Sequence, residues 1–168
     1  MTDEKKTAIR IPPKGTKGSR MMEGGGDLGR IAKGYMSREV KKFQKSTSPE
    51  PIKFMGSPAL VLTTVGAKSS MERSHVLGGF PDGDNAWLII ASKGGAATHP
   101  HWFINIAKNP DKVWIQVGNR KMRVHVDSLQ GKEREDAYAR VVAVAKNYGS
   151  YLKKTDREIP VLRVTPAE

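Results

Sequence analysis

The 168-residue sequence predicts an α+β fold in which a mostly antiparallel β-barrel carries inserted helices. Three observations support this fold: six strand-like runs, connections short enough for hairpins, and two helical patterns between the strands. Because hairpins join neighbouring strands in opposite directions, they favour a barrel over a doubly wound parallel sheet. The expected strands are 59–65, 75–80, 86–91, 112–117, 120–127 and 160–165.

Turn residues and alternation justify the strands. Pro81–Asp82–Gly83–Asp84 is typical of a turn between the second and third strands. Gly118–Asn119 has the length of a two-residue hairpin loop. Apolar and polar residues alternate after this loop, which indicates a half-buried strand with a largely basic outer face. The apolar positions are Met122, Val124 and Val126, and the polar positions are Lys121, Arg123 and His125.

Two helices are expected between the strands. The first spans Pro100 to Lys108, where Trp102, Phe103 and Ile106 recur at helical spacing. The second runs from Lys132 to about Asn147 and has an apolar face with acidic residues in its first turn, where they suit the helix dipole. The members of that apolar face are Ala137, Val141, Val144 and Ala145.

The chain is expected to divide into a basic N-terminal part, 1–50, and a barrel domain, 51–168. Proline, glycine and lysine residues predict that 1–26 form a solvated tail. A helix is expected after Asp27, with Leu28, Ile31, Tyr35, Val40 and Phe43 approximating its apolar face. Two interpretations remain open for 1–45, since a basic amphipathic helix either contacts an anionic membrane or packs on its own domain.

The net charge of +12 indicates an anionic partner, with 12 Lys/Arg and 6 Asp/Glu in 1–50 against 17 and 11 in 51–168. Nucleic acid is a minor option because no nucleic-acid-binding motif is visible. The absence of cysteine excludes disulfides and thiol catalysis, and the spacing of His99 and His101 argues against a metal site. Without an apolar leader or an 18-residue apolar run, a cytoplasmic protein is expected. The oligomeric state has no indicator in the sequence.

Two glycine- and serine-containing loops, each following a strand, are candidates for binding an anionic group. Glycines let the backbone approach a ligand closely, and N–H groups, hydroxyls and cations then stabilise negative charge. The first loop offers Lys68, Ser69, Ser70 and Arg73, and the second offers Ser92, Lys93, Gly94 and Gly95. Neither loop matches a P-loop or a dinucleotide fingerprint. The alternative for each is an ordinary turn, and a phosphorylated ligand is the prediction when both are considered together.

A tyrosine pair follows the second predicted helix. A phenol such as that of Tyr148 or Tyr151 donates a proton or stabilises a developing oxyanion. The alternative is a packing pair at a helix end, and core packing is likewise the alternative for Trp102.

These pieces, in this order, resemble the deazaflavin-dependent nitroreductase family, whose members are also described as reductases dependent on coenzyme F420. The resemblance runs from about Pro58 to Pro166 and rests on seven pieces. They are LVLTTVGAKSS, the following Arg73, PDGD, ASKGG, HPHWFINIAKNP, the VGN hairpin and YLKKTDREIPVLRVTP.

The resemblance implies a split β-barrel that binds the reduced deazaflavin and passes a hydride to a small-molecule acceptor such as a quinone, an enone or a nitroaromatic. It also implies a peripheral position at the membrane. Lys68, Ser69, Ser70 and Arg73 would hold the cofactor phosphate or acidic tail, Ser92, Lys93, Gly94 and Gly95 would line the cofactor, and Trp102 would flank it. Tyr148 would orient or protonate the acceptor, with Tyr151 as a neighbouring wall.

One departure concerns the first loop, because Ser70 stands where that family usually has glycine. If this position needs a positive φ, serine costs about 1 kcal/mol there. Two alternatives to an F420-dependent reductase are a non-catalytic barrel that binds a lipid, fatty acid or other cofactor, and an enzyme that uses flavin mononucleotide (FMN) on the same fold.

Overall fold

A computed structural model describes residues 9–20 and 27–167, and the described part contains eight strands, four α-helices and one 3₁₀ turn. The strands are β1 (Ile52–Phe54), β2 (Ser57–Val65), β3 (Glu72–Gly78), β4 (Phe80–Pro81), β5 (Trp87–Ile90), β6 (Val113–Val117), β7 (Arg120–Ser128) and β8 (Val161–Pro166). The helices are α1 (Asp27–Gln44), α2 (His101–Lys108), α3 (Gly131–Val144) and α4 (Asn147–Lys154). The 3₁₀ turn covers Lys93–Gly95.

All strand pairs in the described chain are antiparallel, in the order β1-β2-β6-β7-β8-β5-β4, with β3 also paired to β2. Strand β7 changes partner midway, since Arg123 pairs with β6 while Val124 pairs with β8. This exchange curls the sheet into a half-barrel. The predicted α+β antiparallel barrel with inserted helices is thereby confirmed.

The helices cover the sheet at three apolar clusters. Phe103 and Ile106 of α2 are completely buried in the main cluster, against strands β2, β5, β6, β7 and β8. Helix α3 packs Val141 and its neighbours on β5 and β8 in a second cluster. Val40 and Phe43 of α1 meet β2 and β3 in a third cluster. Helix α2 thus lies beside the end of β2, where the first candidate loop begins.

Several predicted boundaries shift in the structure. The strand expected at 75–80 is β3 followed by the two-residue β4, and β1 was not predicted. The helix expected to reach Asn147 ends at Val144, and a separate helix, α4, carries both candidate tyrosines. Helix α4 has only eight residues and contains Gly149, so its periodic signal is weak.

The predicted apolar face of α1 divides into two. Val40 and Phe43 are buried, whereas Ile31 and Tyr35 are 69% and 54% exposed. At about 100° per residue, the first pair lies more than a third of a turn away from the second around the helix. One side of α1 therefore packs on β2 and β3, which supports the own-domain interpretation, and the other side faces solvent.

Residues 9–20 have no helix or strand, but they lie against the domain rather than free in solvent. The N–H groups of Gly15 and Ser19 donate to the carbonyls of Ala97 and Gly95, over 2.8 and 2.9 Å. Ile9 packs against the main apolar cluster. The amino-acid composition of this segment predicts solvation because many of its side chains are charged. Composition cannot predict the backbone hydrogen bonds that hold the segment in place.

Candidate active site

The first candidate loop is the turn between β2 and β3, and α2 fixes its shape. Within the turn, the N–H of Gly66 donates to Met71 O over 2.8 Å. Asn105 of α2, which is 8% exposed, accepts the N–H of Ala67 at 3.0 Å and donates to the Thr64 hydroxyl at 3.2 Å. A single buried amide therefore ties the loop to the helix.

Ser70 adopts φ +58°, in the left-handed region that favours glycine. Its N–H donates to Gly66 O over 3.0 Å, which holds the turn closed. The position where the sequence departs from the glycine of the family it resembles is therefore one that requires a positive φ.

The β2–β3 turn is electropositive. Lys68 and Arg73 are exposed, and neither forms an ion pair within residues 9–20 and 27–167. Desolvation lowers the pKa of His75, and electrostatic interactions with the neighbouring His101 and Arg73 lower it further. The first residue of α2 thus lies close enough to β3 for their charges to interact. The edge shared by β3 and the start of α2 suits an anionic group.

The second candidate loop, Ser92–Gly95, has an unusual backbone. Lys93, Gly94 and Gly95 have φ of +46°, +62° and +82°. Ser92 is buried, and the Lys93 ammonium donates over 2.9 Å to the hydroxyl of Thr98, which lies just after the loop. Three consecutive left-handed residues present backbone along one side of the loop, which is how glycine-containing loops approach a flat ligand.

The structure brings this loop and α4 into contact. A Cβ added at Gly95 would lie 3.0 Å from Lys154 Cβ and 3.2 Å from Tyr151 O. Any side chain at Gly95 would therefore push α4 away. The second loop therefore lies against the helix that carries the tyrosine pair, although the two are far apart in the sequence.

Tyr148 faces β3 and β4. Its ring packs edge-on against Phe80, with centroids 5.5 Å apart, and a Cβ added at Gly78 would lie 2.6 Å from Tyr148 Oη. Burial, followed by the neighbouring Tyr151, raises the pKa of Tyr148 to about 12. The phenol is therefore neutral at physiological pH, and it is a hydrogen-bond donor rather than a base.

One contact holds α4, the tyrosine helix, against α3, and a second, within α4, orients the Tyr151 ring. Tyr138 of α3 donates its hydroxyl to Tyr148 O over 2.6 Å, and Asn147 donates to Tyr151 Oη over 2.8 Å. The rings of Tyr148 and Tyr151 also pack at 5.3 Å. The two rings therefore pack on each other, as the alternative interpretation expected. The helix that carries them also lies against the second loop.

Phe80, which packs against Tyr148, also lines an apolar cavity of about 310 Å³, and Tyr148 itself is not part of the cavity wall. Leu88, Val141 and Val144 supply further apolar surface, and Arg140 is its charged side chain.

Trp102, on α2, is 8% exposed and belongs to the main apolar cluster, which is the core-packing position that the alternative interpretation expected. Within the described residues, no hydrogen bond or ion pair joins the β2–β3 turn to Ser92–Gly95. Helix α2 connects the turn and the loop, since Asn105 holds the turn and the loop leads into the start of the helix.

Sequence reasoning did not identify Arg157 or Asn105. Arg157 is 4% exposed and donates to three carbonyls around the second loop. Nothing in its charge pattern separates it from the surface arginines. Asn105 had a signal, because an amide on the apolar side of a predicted helix needs a buried partner.

The described residues contain no cluster of three or more His, Cys, Asp or Glu that would hold a metal ion. Among the same residues, no helix is both long and apolar enough to cross a membrane.

Comparison with known proteins identifies the family. The family model described as F420H(2)-dependent quinone reductase matches residues 36–166. An F420H(2)-dependent quinone reductase of Mycobacterium tuberculosis is 40% identical over 113 residues, which cover 64% of this chain and 73% of that protein. A solved structure of an F420-H2 dependent reductase is 34% identical, with a TM-score of 0.58, covering 67% of this chain and 98% of its own.

A second solved structure, a domain-swapped dimer, is 28% identical with a TM-score of 0.60, and the match covers 82% of this chain and 99% of that chain. The resemblance stated from the sequence is confirmed, and an FMN enzyme is not needed to explain these matches. The chain belongs to the F420H(2)-dependent quinone reductase family and is an oxidoreductase that uses reduced coenzyme F420 and a small-molecule acceptor.

Proposed function

We propose that this protein reduces a quinone, with the β2–β3 turn holding the acidic end of coenzyme F420, the second loop lying along the cofactor, and Tyr148 contacting the acceptor. The observation that carries the proposal is the contact between Gly95 and α4, because it sets the loop beside the helix that carries both tyrosines. The names of the relatives, which specify quinone reductases, support the acceptor class.

The donors of the β2–β3 turn fit the chemistry of F420, which carries a phosphodiester and several glutamates. Lys68 and Arg73 are exposed cations without ion-pair partners in the described chain, and Ser69 and Ser70 add exposed hydroxyls beside them. Arginine binds phosphate through two parallel hydrogen bonds, and lysine binds it as a point charge.

The second loop and Trp102 would hold the remainder of the cofactor. The backbone of Ser92, Lys93, Gly94 and Gly95 would offer close approach, and the small exposed part of Trp102 would supply an apolar wall at the start of α2. When bound, the reduced deazaflavin supplies the hydride. The chain itself orients the cofactor and excludes water, which are the main contributions of a protein to this chemistry.

Tyr148 would act on the acceptor side. Because its pKa is raised to about 12, the phenol keeps its proton at pH 7 and donates a hydrogen bond to an acceptor oxygen as negative charge develops there. Tyr151 forms the adjoining wall. The apolar cavity beyond Phe80 suits the hydrocarbon part of a quinone.

Turnover of a water-soluble quinone with reduced F420 tests this assignment. We expect Tyr148→Phe to lower kcat about 10–100-fold while the Kd for F420 is nearly unchanged, since the phenol acts on the acceptor. Tyr151→Phe, a matched change one helical turn away, should lower kcat much less. If Tyr148→Phe turns over as fast as the wild type, the acceptor role of Tyr148 is wrong.

We further propose a peripheral contact of the N-terminal part with an anionic membrane surface through the outer face of α1. This face carries the exposed Ile31 and Tyr35 together with Arg38 and Lys42, which share one side of the helix at about 100° per residue. Apolar side chains flanked by cations are typical of helices that lie on the cytoplasmic leaflet.

Sedimentation with phosphatidylglycerol vesicles, compared with neutral phosphatidylcholine vesicles, tests the membrane contact. The double change Ile31→Ser and Tyr35→Ser should strongly reduce sedimentation with the anionic vesicles, because it removes the apolar side chains that would insert. Leu152→Ser, which removes an exposed apolar residue from α4, is the control. Equal sedimentation of the double variant and the wild type refutes a contact through this face.

A further inference from the structure

The guanidinium of Arg157 is enclosed by the second loop. It donates from Nε to Ala96 O at 2.9 Å, from Nη1 to Ala91 O at 3.1 Å and from Nη2 to Ser92 O at 2.8 Å. Burial lowers its pKa to about 10, which still leaves it charged at neutral pH. Both ends of the loop are therefore tied to a single side chain that is 4% exposed.

His99 extends this arrangement to the N-terminal segment. Its Nδ1 lies 2.8 Å from Nη1 of Arg157, and its Nε2 lies 2.6 Å from Pro12 O. Because the arginine only donates, Nδ1 accepts, and the ring proton is on Nε2, where it donates to the proline carbonyl. A neutral imidazole in one tautomer thus links the segment to the loop.

The segment 12–19 also bonds directly to the loop. Gly15 N and Ser19 N donate to Ala97 O and Gly95 O, and a Cβ added at Gly18 would lie 2.2 Å from Ala97 N. Only glycine permits this approach at position 18. The loop is therefore held from one side by Arg157 and from the other by the N-terminal backbone.

The residues next to Arg157 anchor the same segment. Thr155 donates its hydroxyl to Lys17 O over 2.8 Å and accepts the N–H of Arg157 over 3.0 Å. Asp156 accepts the N–H groups of Thr16 and Lys17 at 2.8 and 3.2 Å. Residues 155–157 and 12–19 thus form a single hydrogen-bonded unit, which we name the loop clamp.

We propose that the loop clamp positions the second loop and the residues after it, as far as His99, for binding the cofactor. In this proposal Arg157 is a positioning residue, and the N-terminal segment 12–19 contributes to the site by holding the loop. The proposal rests on the proposed role of this loop in binding F420. A loop with three consecutive left-handed residues needs external contacts to keep its shape, and holding that shape before binding lowers the cost of binding. Loss of the clamp should therefore weaken cofactor binding more than it slows the bound enzyme.

The test compares Gly18→Ala with Gly34→Ala in the full-length protein. The added methyl group at position 18 meets the backbone of Ala97, whereas at position 34 of α1 it meets nothing within 4 Å. In the absence of cofactor, hydrogen exchange of amides 92–99 should accelerate about tenfold or more in Gly18→Ala and stay at the wild-type rate in Gly34→Ala. Unchanged exchange in Gly18→Ala overturns the clamp.

Cofactor binding provides the second readout. The Kd for F420, from fluorescence, should rise about tenfold in Gly18→Ala, with kcat at saturation within about twofold of the wild type. Faster loop exchange with an unchanged Kd would show that the clamp does not serve the cofactor. If the wild type itself fails to bind F420, the proposed function fails, while the exchange rates still decide whether the clamp holds the loop.

Discussion

Ser70 provides a direct test of the strain in the β2–β3 turn. Its φ of +58° costs a serine about 1–2 kcal/mol relative to glycine. Glycine loses more backbone entropy on folding, which returns about 0.5–1 kcal/mol of that difference. Ser70→Gly should therefore raise the free energy of unfolding by about 0.5–1 kcal/mol, which corresponds to an increase in Tm of about 1–4 °C.

Urea unfolding and a thermal melt at pH 7 would measure this change. Ser69→Gly is the matched control, because its Oγ accepts the N–H of Met71 at 3.2 Å and its φ is not positive. The control should lose stability for the same entropic reason and through the lost hydrogen bond. The strain interpretation is refuted if Ser70→Gly is less stable than the wild type.

Two further predictions concern pH and charge. Burial would raise the pKa of Asp82, but hydrogen bonds and charge from Arg163, and then from Arg140, lower it on balance. The contribution of Asp82 to the free energy of unfolding is therefore lost as pH falls below 3.8. Asp82→Asn should cost about 1–2 kcal/mol at pH 7 by urea unfolding, whereas Asp84→Asn in the same turn should cost little. Burial lowers the pKa of His99 below 6.5; the hydrogen bond to Pro12 opposes this shift and the charge of Arg157 adds to it. Near pH 6.5 the native state therefore binds fewer protons than the unfolded chain. In thermal melts, the Tm of the wild type should fall as pH drops below 6.5. The slope of Tm against pH should be shallower in His99→Gln and unchanged in His125→Gln. Equal slopes in the wild type and both variants would contradict this prediction.

The elements that the sequence predicted have strong local signals. Alternation after Gly118–Asn119 identified β7, and Trp102, Phe103 and Ile106 identified α2. The shorter elements, β1 and α4, have too few residues for a period to emerge. The face of α1 was wrong because Ile31 and Tyr35 are out of phase with Val40 and Phe43.

The candidate site was predictable only in part, for a physical reason. Glycines, cations and phenols mark loops that bind anions or react, so residue type made Lys68, Gly95 and Tyr148 candidates for the site. The contacts that hold these loops are long-range and use ordinary backbone carbonyls. Arg157 reaches Ala91 O over 66 residues, and no local pattern records such a bond.

A fluorescence titration with oxidised and reduced F420 tests the central claim most directly. The wild type should bind F420, and Lys68→Ala should weaken binding by about 1–3 kcal/mol, the range for a hydrogen bond to a charged group. Lys132→Ala on α3 removes the same charge from an exposed position outside the proposed site, so its Kd should match the wild type. Absence of binding by the wild type, or equal loss in the two lysine variants, would contradict an F420 site built on the β2–β3 turn.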